Sequence, residues 1–297
     1  MFDLQVYLAD CRKRVEEALD SYLGGSACAS TLSRAMHYAV MAGGKRLRPV
    51  LCIAAAETVG ASAASVMPMA CALELIHTYS LIHDDLPAMD DDDTRRGKAT
   101  CHVRFDEPTA ILAGDALLTL AFEVISRAGM QSEPDVRHRW LEALGSVACA
   151  AGCNGMIEGQ MRDMAYEGKR IPMPELEAMH RLKTGRMIEI SVQSGAIIAA
   201  ASKTAQNALL SYAGKIGLAF QVTDDLLNIK GDPQKLGKAV GTDQMRGKNT
   251  YPALIGLEAA EAYAQRLVDD ALSELDVFDI KADPLRAIAQ YIIERRR

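Results

Sequence analysis

Two pairs of adjacent aspartates end two apolar segments, and they are the residues best suited to chemistry. Asp84 and Asp85 stand in "LIHDDLPAMD", and Asp224 and Asp225 stand in "QVTDDLLNIKGD". Carboxylates beside a core are costly unless they are neutralised, and the negative end of a helix dipole adds to that cost. A bound Mg²⁺ would remove it, because this ion takes carboxylate oxygens and completes its shell from water and phosphates. The recurrence predicts two acidic walls that hold a phosphorylated ligand through metal.

Basic residues collect in the same breaks of the chain. They are Lys45, Arg46 and Arg48 in "GGKRLRP", Arg95 and Arg96 after the first aspartate run, Lys183 beside Thr184 in "LKTG", and Lys238 and Lys248 in the glycine-rich segment after the second pair. Each alone would be an ordinary surface charge. Their concentration beside the acidic pairs indicates phosphate binding, and the helix that follows "GGKRLRP" is expected to favour anions at its start.

His77 stands on the segment that ends at the first pair. It precedes Asp84 by seven residues, which is two helical turns and places both on one face. A neutral core histidine and a functional histidine both fit this position.

The long segments predict an all-α protein. Apolar residues recur at three and four positions rather than two, and Ala, Leu, Met and Glu dominate. The expected helices cover residues 3–23, 28–42, 48–58, 64–86, 108–128, 135–152, 174–201, 205–230, 250–272 and 283–295. Two of them, 64–86 and 205–230, are apolar on nearly all sides, as is typical at the centre of a large bundle. Because no Ser-, Gly- or Pro-rich linker divides the chain, residues 1–297 are predicted to be one domain.

Composition narrows the setting. The chain has 297 residues, 49% hydrophobic, with a formal net charge of −6. Nucleic acid is an unexpected partner for an acidic chain whose basic residues are dispersed. We find no signal peptide and no apolar run near the ~18 residues of a membrane span, so a cytoplasmic protein is expected. The seven cysteines are interpreted as reduced core thiols, and core packing is favoured over a shared metal for Cys149 and Cys153.

Five motifs together resemble a known family. The segments "GGKRLRP", "LIHDDLPAMDDDDTRRG", "KTG", "FQVTDDLL" and "GKNTYPALIG" have the order and spacing of the trans-prenyltransferases, the isoprenyl diphosphate synthases, and most closely of the bacterial farnesyl diphosphate synthases. The resemblance implies a helix bundle around a central cavity, a homodimer and about three Mg²⁺ ions per site. It also implies that isopentenyl diphosphate attacks an allylic carbocation formed from dimethylallyl or geranyl diphosphate, giving (2E,6E)-farnesyl diphosphate.

The resemblance also implies a role for each motif residue. The metal ligands would be Asp84 and Asp90 for two Mg²⁺ ions and Asp224 for a third, with Asp85 in support. The allylic diphosphate would be held by Arg95, Lys183 and Lys238, helped by Lys248, and oxygen dipoles beside the cation would come from Thr184 and Gln221. Isopentenyl diphosphate would be held by Lys45, Arg48, His77 and Arg96. The second motif departs from the family pattern, since Asn228 stands where an aspartate is usual. One negative charge is therefore missing, and we expect a shifted metal requirement.

The first motif is longer than the family's shorter version. Asp84 and Asp90 are six residues apart and on a straight helix would point about 120° from each other. Pro87 disfavours helical geometry at Leu86, so the helix must kink or bulge and turn Asp90 back. An unbroken helix would favour Asp91 instead.

Other interpretations remain open at this point. A geranylgeranyl or geranyl diphosphate synthase would carry the same motifs. A helical metal-dependent phosphohydrolase that uses His83 and Asp84 would leave the other motifs without a role. A terpene cyclase needs no second diphosphate pocket, which Lys45 and Arg48 indicate, and a non-catalytic subunit would be expected to have lost the aspartates and arginines.

The resemblance also implies that the floor of the pocket along the first aspartate helix sets product length. Tyr79 is the candidate for this floor, because it stands five residues before Asp84 and roughly 7.5 Å deeper along the helix axis. Its ring should form the floor of the pocket and stop growth at fifteen carbons. Tyr79→Ala should therefore give products of twenty carbons or more, measured by chromatography of the dephosphorylated prenyl alcohols. An unchanged product would show that Tyr79 only packs in the core.

Overall fold

The computed structural model describes residues 2–24, 30–230 and 248–295, and within them the chain is almost entirely helical. The helices are α1 (Leu4–Tyr22), α2 (Thr31–Val40), α3 (Leu47–Thr58), α4 (Ala63–Asp84), α5 (Cys101–Arg104), α6 (Glu107–Gln131), α7 (Pro134–Ala151), α8 (Met156–Tyr166), α9 (Met173–His180), α10 (Arg186–Ile198), α11 (Lys203–Lys230), α12 (Tyr251–Ile255), α13 (Leu257–Glu274) and α14 (Asp283–Glu294). A π-helical segment, Arg181–Gly185, joins α9 to α10, and a 3₁₀ turn, Ile280–Ala282, precedes α14. The predicted all-α class is confirmed.

The helix α4 lies at the centre of the bundle. Its buried residues face all sides, and it packs against α3 and α6, while α10 packs against α3. Gly195 on α10 lies so close to the Cys52 carbonyl on α3 that a Cβ there would overlap it. A second apolar cluster joins α9, α11, α12 and α13 around Tyr251 and Val222. The two helices that carry the aspartate pairs, α4 and α11, therefore run through the middle, as their composition predicts.

The structure differs from the sequence expectation in several elements. The expected helix 174–201 is divided into α9, the π segment and α10, and the expected helix 250–272 is divided at Gly256, whose φ is 85°. The helix α8 was not predicted at all. A two-stranded antiparallel hairpin, β1 (Thr94–Arg95) and β2 (Lys98–Ala99), follows the first aspartate run.

Two sequence expectations about apolar and thiol residues are corrected. The helices α4 and α6 are both long and apolar enough to pass a length and composition test for a membrane span, although 67% of the α4 window is buried inside the protein, as in a core helix. Cys149 and Cys153 are exposed, so the interpretation of core packing is wrong for them. The other cysteines within the described residues are buried and free.

Candidate active site

The first aspartate run folds back on the end of α4. The helix ends at Asp84, and the amide of Asp90 donates to the Asp84 carbonyl at 2.8 Å, while the amide of Asp92 donates to the Asp85 carbonyl at 3.2 Å. This is the reversal expected from Pro87, because the helix cannot continue through the proline. Asp90 therefore lies beside Asp84, and Asp91 is an exposed residue with a φ of 52°.

Asp84 carries a negative charge that its surroundings do not balance. Burial raises its pKa to about 6; Lys183 and Arg95 oppose the rise, and the carboxylates of Asp90 and Asp85 reinforce it. A divalent cation would relieve the cost, and the available donors are carboxylate oxygens, which suit Mg²⁺. No group of three or more His, Cys, Asp or Glu side chains converges in the part of the chain that the structure describes. The donors thus fit a metal that takes much of its shell from the ligand.

A tight hairpin separates the two arginines. Arg96 and Gly97 both have positive φ, 54° and 74°, which is the pattern of a type I′ turn. Arg95 lies on one side, where its Nε is 2.7 and 2.9 Å from the two carboxylate oxygens of the buried Asp85. Arg96 lies on the other side, where its guanidinium donates to the Gly43 carbonyl and covers Gly44. Adjacent arginines are therefore presented to different parts of the site.

Lys183 and Thr184 lie on the π segment, which two glycines hold in place. A Cβ on Gly159 of α8 would overlap the Lys183 backbone, and a Cβ on Gly217 of α11 would lie 3.2 Å from Gly185. Such close approach on both sides fixes the widened turn, and π segments of this kind often occur at functional sites. The expected helix 174–201 is interrupted at this segment.

Asp163 on α8 joins two of the predicted phosphate-binding lysines. Its Oδ2 accepts from Lys183 Nζ at 2.6 Å and from Lys248 Nζ at 3.5 Å, and Lys248 also donates to Asp90 Oδ1 at 3.3 Å. Burial alone would raise the pKa of Asp163, but the two lysines outweigh burial and hold it below its ordinary value. Sequence reasoning missed Asp163. The available signal was its spacing of four residues from Gly159, which puts both on the same face of α8.

Lys248 is positioned by its neighbour Asn249. The Asn249 amide donates to the Lys169 carbonyl at 2.7 Å and accepts from the Ile171 amide at 3.3 Å. The segment after α8 therefore holds residues 248–250 next to the site. Lys238, which was expected to act with Lys248, lies outside the described residues.

Three of the four residues expected to bind isopentenyl diphosphate lie close together and buried charge effects link them, whereas the fourth, Lys45, is exposed. Arg48, His77 and Arg96 are close enough to influence one another: burial lowers the pKa of His77 well below its ordinary value, and Arg48 and Arg96 lower it further. Arg48 Nε is buried without a hydrogen-bond partner among the described residues, and an anion bound there would accept from it. Lys45 is exposed at the same loop.

Arg46 has turned into the protein, away from the expected anion site. It is the residue before α3, with a left-handed φ of 52°, and its guanidinium is buried. Its Nη1 donates to Glu74 at 2.8 Å and its Nη2 to the Val40 carbonyl at 2.7 Å. The expectation that Arg46 helps bind an anion at this helix start is wrong, because the left-handed residue turns its side chain towards Glu74.

The second aspartate pair lies inside α11, which continues to Lys230. Asp225 is buried and accepts from the Tyr251 amide at 2.9 Å, which fixes the start of α12. Asp224 is more exposed, and its Oδ1 accepts from Arg295 Nη2 at 2.6 Å. The two adjacent carboxylates thus have separate tasks: one anchors the chain, and the other stays at the surface of the site.

Gln221 stands one turn before Asp224, on the same face of α11. Its Nε2 lies 3.0 Å from Nδ1 of His180, a buried residue that the sequence analysis did not identify. The proximity of His180 to Asp163, Lys183 and Lys248 places Gln221 at the same end of the bundle as the lysines.

His83 directs its Nε2 towards α6. Its Nε2 is 3.1 Å from the Ile111 carbonyl, its ring lies against Gly114 of α6, and it meets the Tyr79 ring edge-on at 5.7 Å. A nitrogen that donates to a carbonyl is not available to a metal. This geometry argues against a phosphohydrolase that uses His83 and Asp84. Tyr79 is buried; burial raises the pKa of its hydroxyl, and the nearby charge of Asp84 adds to the rise.

The family model described as polyprenyl synthetase matches residues 29–281 of the chain. The chain belongs to the polyprenyl synthetase family. The farnesyl diphosphate synthase of Escherichia coli (strain K12) is 46% identical, with 99% of this chain and 100% of that protein covered. The farnesyl diphosphate synthase of Geobacillus stearothermophilus is 44% identical, with 98% of each covered. The crystal structure of an FPP/GFPP synthase from Zymomonas mobilis has a TM-score of 0.86 at 39% identity, covering 97% of this chain and 98% of that one. The resemblance seen in the motifs is confirmed.

The two candidate acids of this polyprenyl synthetase can be told apart by substitution. We expect Asp90→Asn to lower kcat at least about 100-fold and to raise the Mg²⁺ concentration needed for half-maximal rate, because a predicted metal ligand is lost. Asp91→Asn is the matched control, since asparagine also tolerates the left-handed backbone at position 91. Steady-state kinetics over a Mg²⁺ series measures both. A larger loss for Asp91 than for Asp90 would contradict the assignment.

The buried charge of Asp84 should also cost stability. Because its folded pKa of about 6 exceeds the ordinary 3.8, the ionised form destabilises the metal-free fold fully above pH 6 and progressively less as the pH falls towards 4. Asp84→Asn should therefore raise the free energy of unfolding by about 1–3 kcal/mol at pH 7.5 while activity is lost.

Urea unfolding of the metal-free protein at pH 7.5 and pH 4.5 measures this effect. The exposed Asp91→Asn variant is again the control and should change little. A gain from Asp84→Asn that is equally large at both pH values would show that the charge is not its source.

Proposed function

We propose that the chain is a magnesium-dependent prenyltransferase that condenses isopentenyl diphosphate with dimethylallyl and then geranyl diphosphate to give (2E,6E)-farnesyl diphosphate. The observation that carries the proposal is the convergence of Asp84, Asp90, Lys183 and Lys248 at one end of a helical bundle, with a separate group around Arg48, His77 and Arg96. Two clusters for two diphosphates distinguish this reaction from one that ionises a single substrate. The relatives named as farnesyl diphosphate synthases support the same product.

Asp84, Asp90 and Asp224 would hold the magnesium ions. Bound there, the metal would supply the positive charge that stabilises the departing diphosphate. The chain itself contributes cations beside the same carboxylates. Lys183 and Lys248 lie within hydrogen-bonding distance of Asp163, so they can move between that carboxylate and a phosphate oxygen with little change of position.

Arg95 would bind the allylic diphosphate from a fixed position. Its bidentate contact with the buried Asp85 holds the guanidinium plane while leaving further N–H donors for phosphate. This gives Asp85 a supporting role rather than a place among the metal ligands. Thr184, on the π segment, and Gln221, on α11, would present oxygen atoms to the developing allylic cation.

Isopentenyl diphosphate would occupy the metal-free cluster. Arg96 reaches it from the hairpin and Arg48 from the start of α3, with His77 between them on α4 and Lys45 at the exposed rim. Attack by the double bond on the cation forms the new carbon–carbon bond, and loss of one proton restores neutrality. The products are the lengthened diphosphate, inorganic diphosphate and a proton. The apolar walls of the bundle would keep water away from the cation.

Three further properties belong to the proposal. Residues 1–297 act as one domain, the protein works in the cytoplasm, and two copies form a homodimer. The dimer is supported by α6, which exposes Ile111 and Leu112 although its sequence is strongly apolar. A second copy that covered this helix would bury them.

Incubation of the protein with isopentenyl diphosphate and either allylic starter, with and without Mg²⁺, tests the function. We expect a fifteen-carbon diphosphate with metal and no condensation product without it, measured by liquid chromatography and mass spectrometry. Simple phosphomonoesters should release no inorganic phosphate. If metal, starter and isopentenyl diphosphate together gave no condensation product, the proposal would be overturned.

A further inference from the structure

His180 is a buried histidine in the middle of the predicted active site with no role in the mechanism above. It is the last residue of α9 and directly precedes the π segment that carries Lys183. Its ring stacks on Tyr251 with 5.6 Å between ring centroids and an interplanar angle of 24°. Its Nδ1 lies 3.0 Å from Gln221 Nε2.

The chemistry of this contact determines where the histidine proton is. An amide nitrogen can only donate, so Nδ1 must be the acceptor. A neutral imidazole that accepts at Nδ1 carries its single proton on Nε2. His180 Nε2 is buried and makes no hydrogen bond to the described residues. Gln221 is therefore the only hydrogen-bond partner that the described part of the chain gives to either ring nitrogen.

The ring stays neutral in its surroundings. Burial lowers the pKa of His180 to about 4; Asp163 works against this, and Lys183 and Lys248 add to it. At neutral pH, Nδ1 therefore remains an acceptor and cannot become a donor by protonation.

The position of the ring is itself fixed from α11. The buried Asp225 accepts from the Tyr251 amide at 2.9 Å, and the Tyr251 ring supports the His180 ring. The aspartate pair that follows Gln221 thus also positions the group that Gln221 contacts. The helix α11 therefore carries Gln221 and also positions the His180 ring, through Asp225 and Tyr251.

We propose that His180 is a positioning residue that fixes the Gln221 amide, with its nitrogen towards the imidazole and its carbonyl oxygen towards the reaction cavity. This inference rests on the proposed function, because the orientation matters where an allylic cation forms. A carbonyl oxygen presents the negative end of the amide dipole to the cation, whereas a flipped amide would present its positive end. The histidine acts through the glutamine and does not touch the substrate.

The protonation state of His180 provides the first test, independent of activity. In the full-length protein labelled with ¹⁵N-histidine at pH 7.5, the resonances of His180 are assigned from their loss in His180→Asn. We expect an unprotonated Nδ1 and a protonated Nε2. A protonated Nδ1 would mean that Gln221 accepts through its oxygen, and it would overturn the proposal.

Two variants separate the acceptor from the ring. His180→Phe keeps a flat ring on Tyr251 but removes the acceptor, and we expect kcat to fall about 10- to 100-fold with the KM of both diphosphates changed less than about twofold. His180→Asn offers a side-chain oxygen close to the place of Nδ1 and should recover most of the lost kcat. The exposed His138 on α7 supplies the matched control, since His138→Phe should change neither constant.

A double-mutant cycle with Gln221→Ala tests the route of the effect. If His180 acts only through Gln221, His180→Phe should have almost no further effect on kcat in the Gln221→Ala background. An equally large loss in both backgrounds, or a rise in KM in place of the fall in kcat, would overturn the positioning role. Failure of the wild-type protein to condense any substrate would instead count against the proposed function, and the ¹⁵N measurement would still decide the contact.

Discussion

The cost of placing carboxylates at the end of an apolar bundle governs this molecule. Asp84 shows the problem most clearly, because burial and neighbouring acids raise its pKa, and among the described residues Lys183 and Arg95 compensate its charge only in part. Other buried or partly buried carboxylates are compensated by groups of the protein. Asp85 has Arg95, Asp163 has two lysines, and Asp225 has a backbone amide. The acid that is left least balanced is the one best prepared to receive a cation.

A protein cation also compensates the charge of Asp224. Asp224 is held by Arg295, whose guanidinium also lies over the Phe220 ring at 3.9 Å. A metal at Asp224 would have to share that carboxylate with the arginine or displace it. The metal-free arrangement is therefore an ordered one, in which protein cations stand close to the acids that a substrate complex would use.

Much of the fold and of the site could be predicted from the sequence. The helical period is long and regular, so the all-α class and the central position of α4 and α11 follow from it. Because the helix cannot continue through Pro87, the return of Asp90 to Asp84 could be anticipated. The remaining role assignments came from the family resemblance.

What could not be predicted depends on partners far apart in the chain. The helix α8 contains Gly159 in its interior, which weakens a helical pattern, and its close packing on Lys183 becomes visible only in three dimensions. Arg46 was misplaced because a left-handed residue reverses the direction of its side chain, and sequence alone does not reveal that backbone state. His180 looked like any histidine on an apolar helix, since its partner Gln221 is forty-one residues away.

The glycines around the π segment have a consequence for how mutational data on this enzyme would be interpreted. Gly159 has no functional group and no place in the chemistry, yet any side chain there would collide with the backbone of Lys183, which is predicted to bind phosphate. A deep mutational scan scored by growth would rank Gly159 with the aspartates. Intolerance at that position would result from the close packing of two helical segments. The set of residues that a scan finds essential would therefore be larger than the set that contacts substrate.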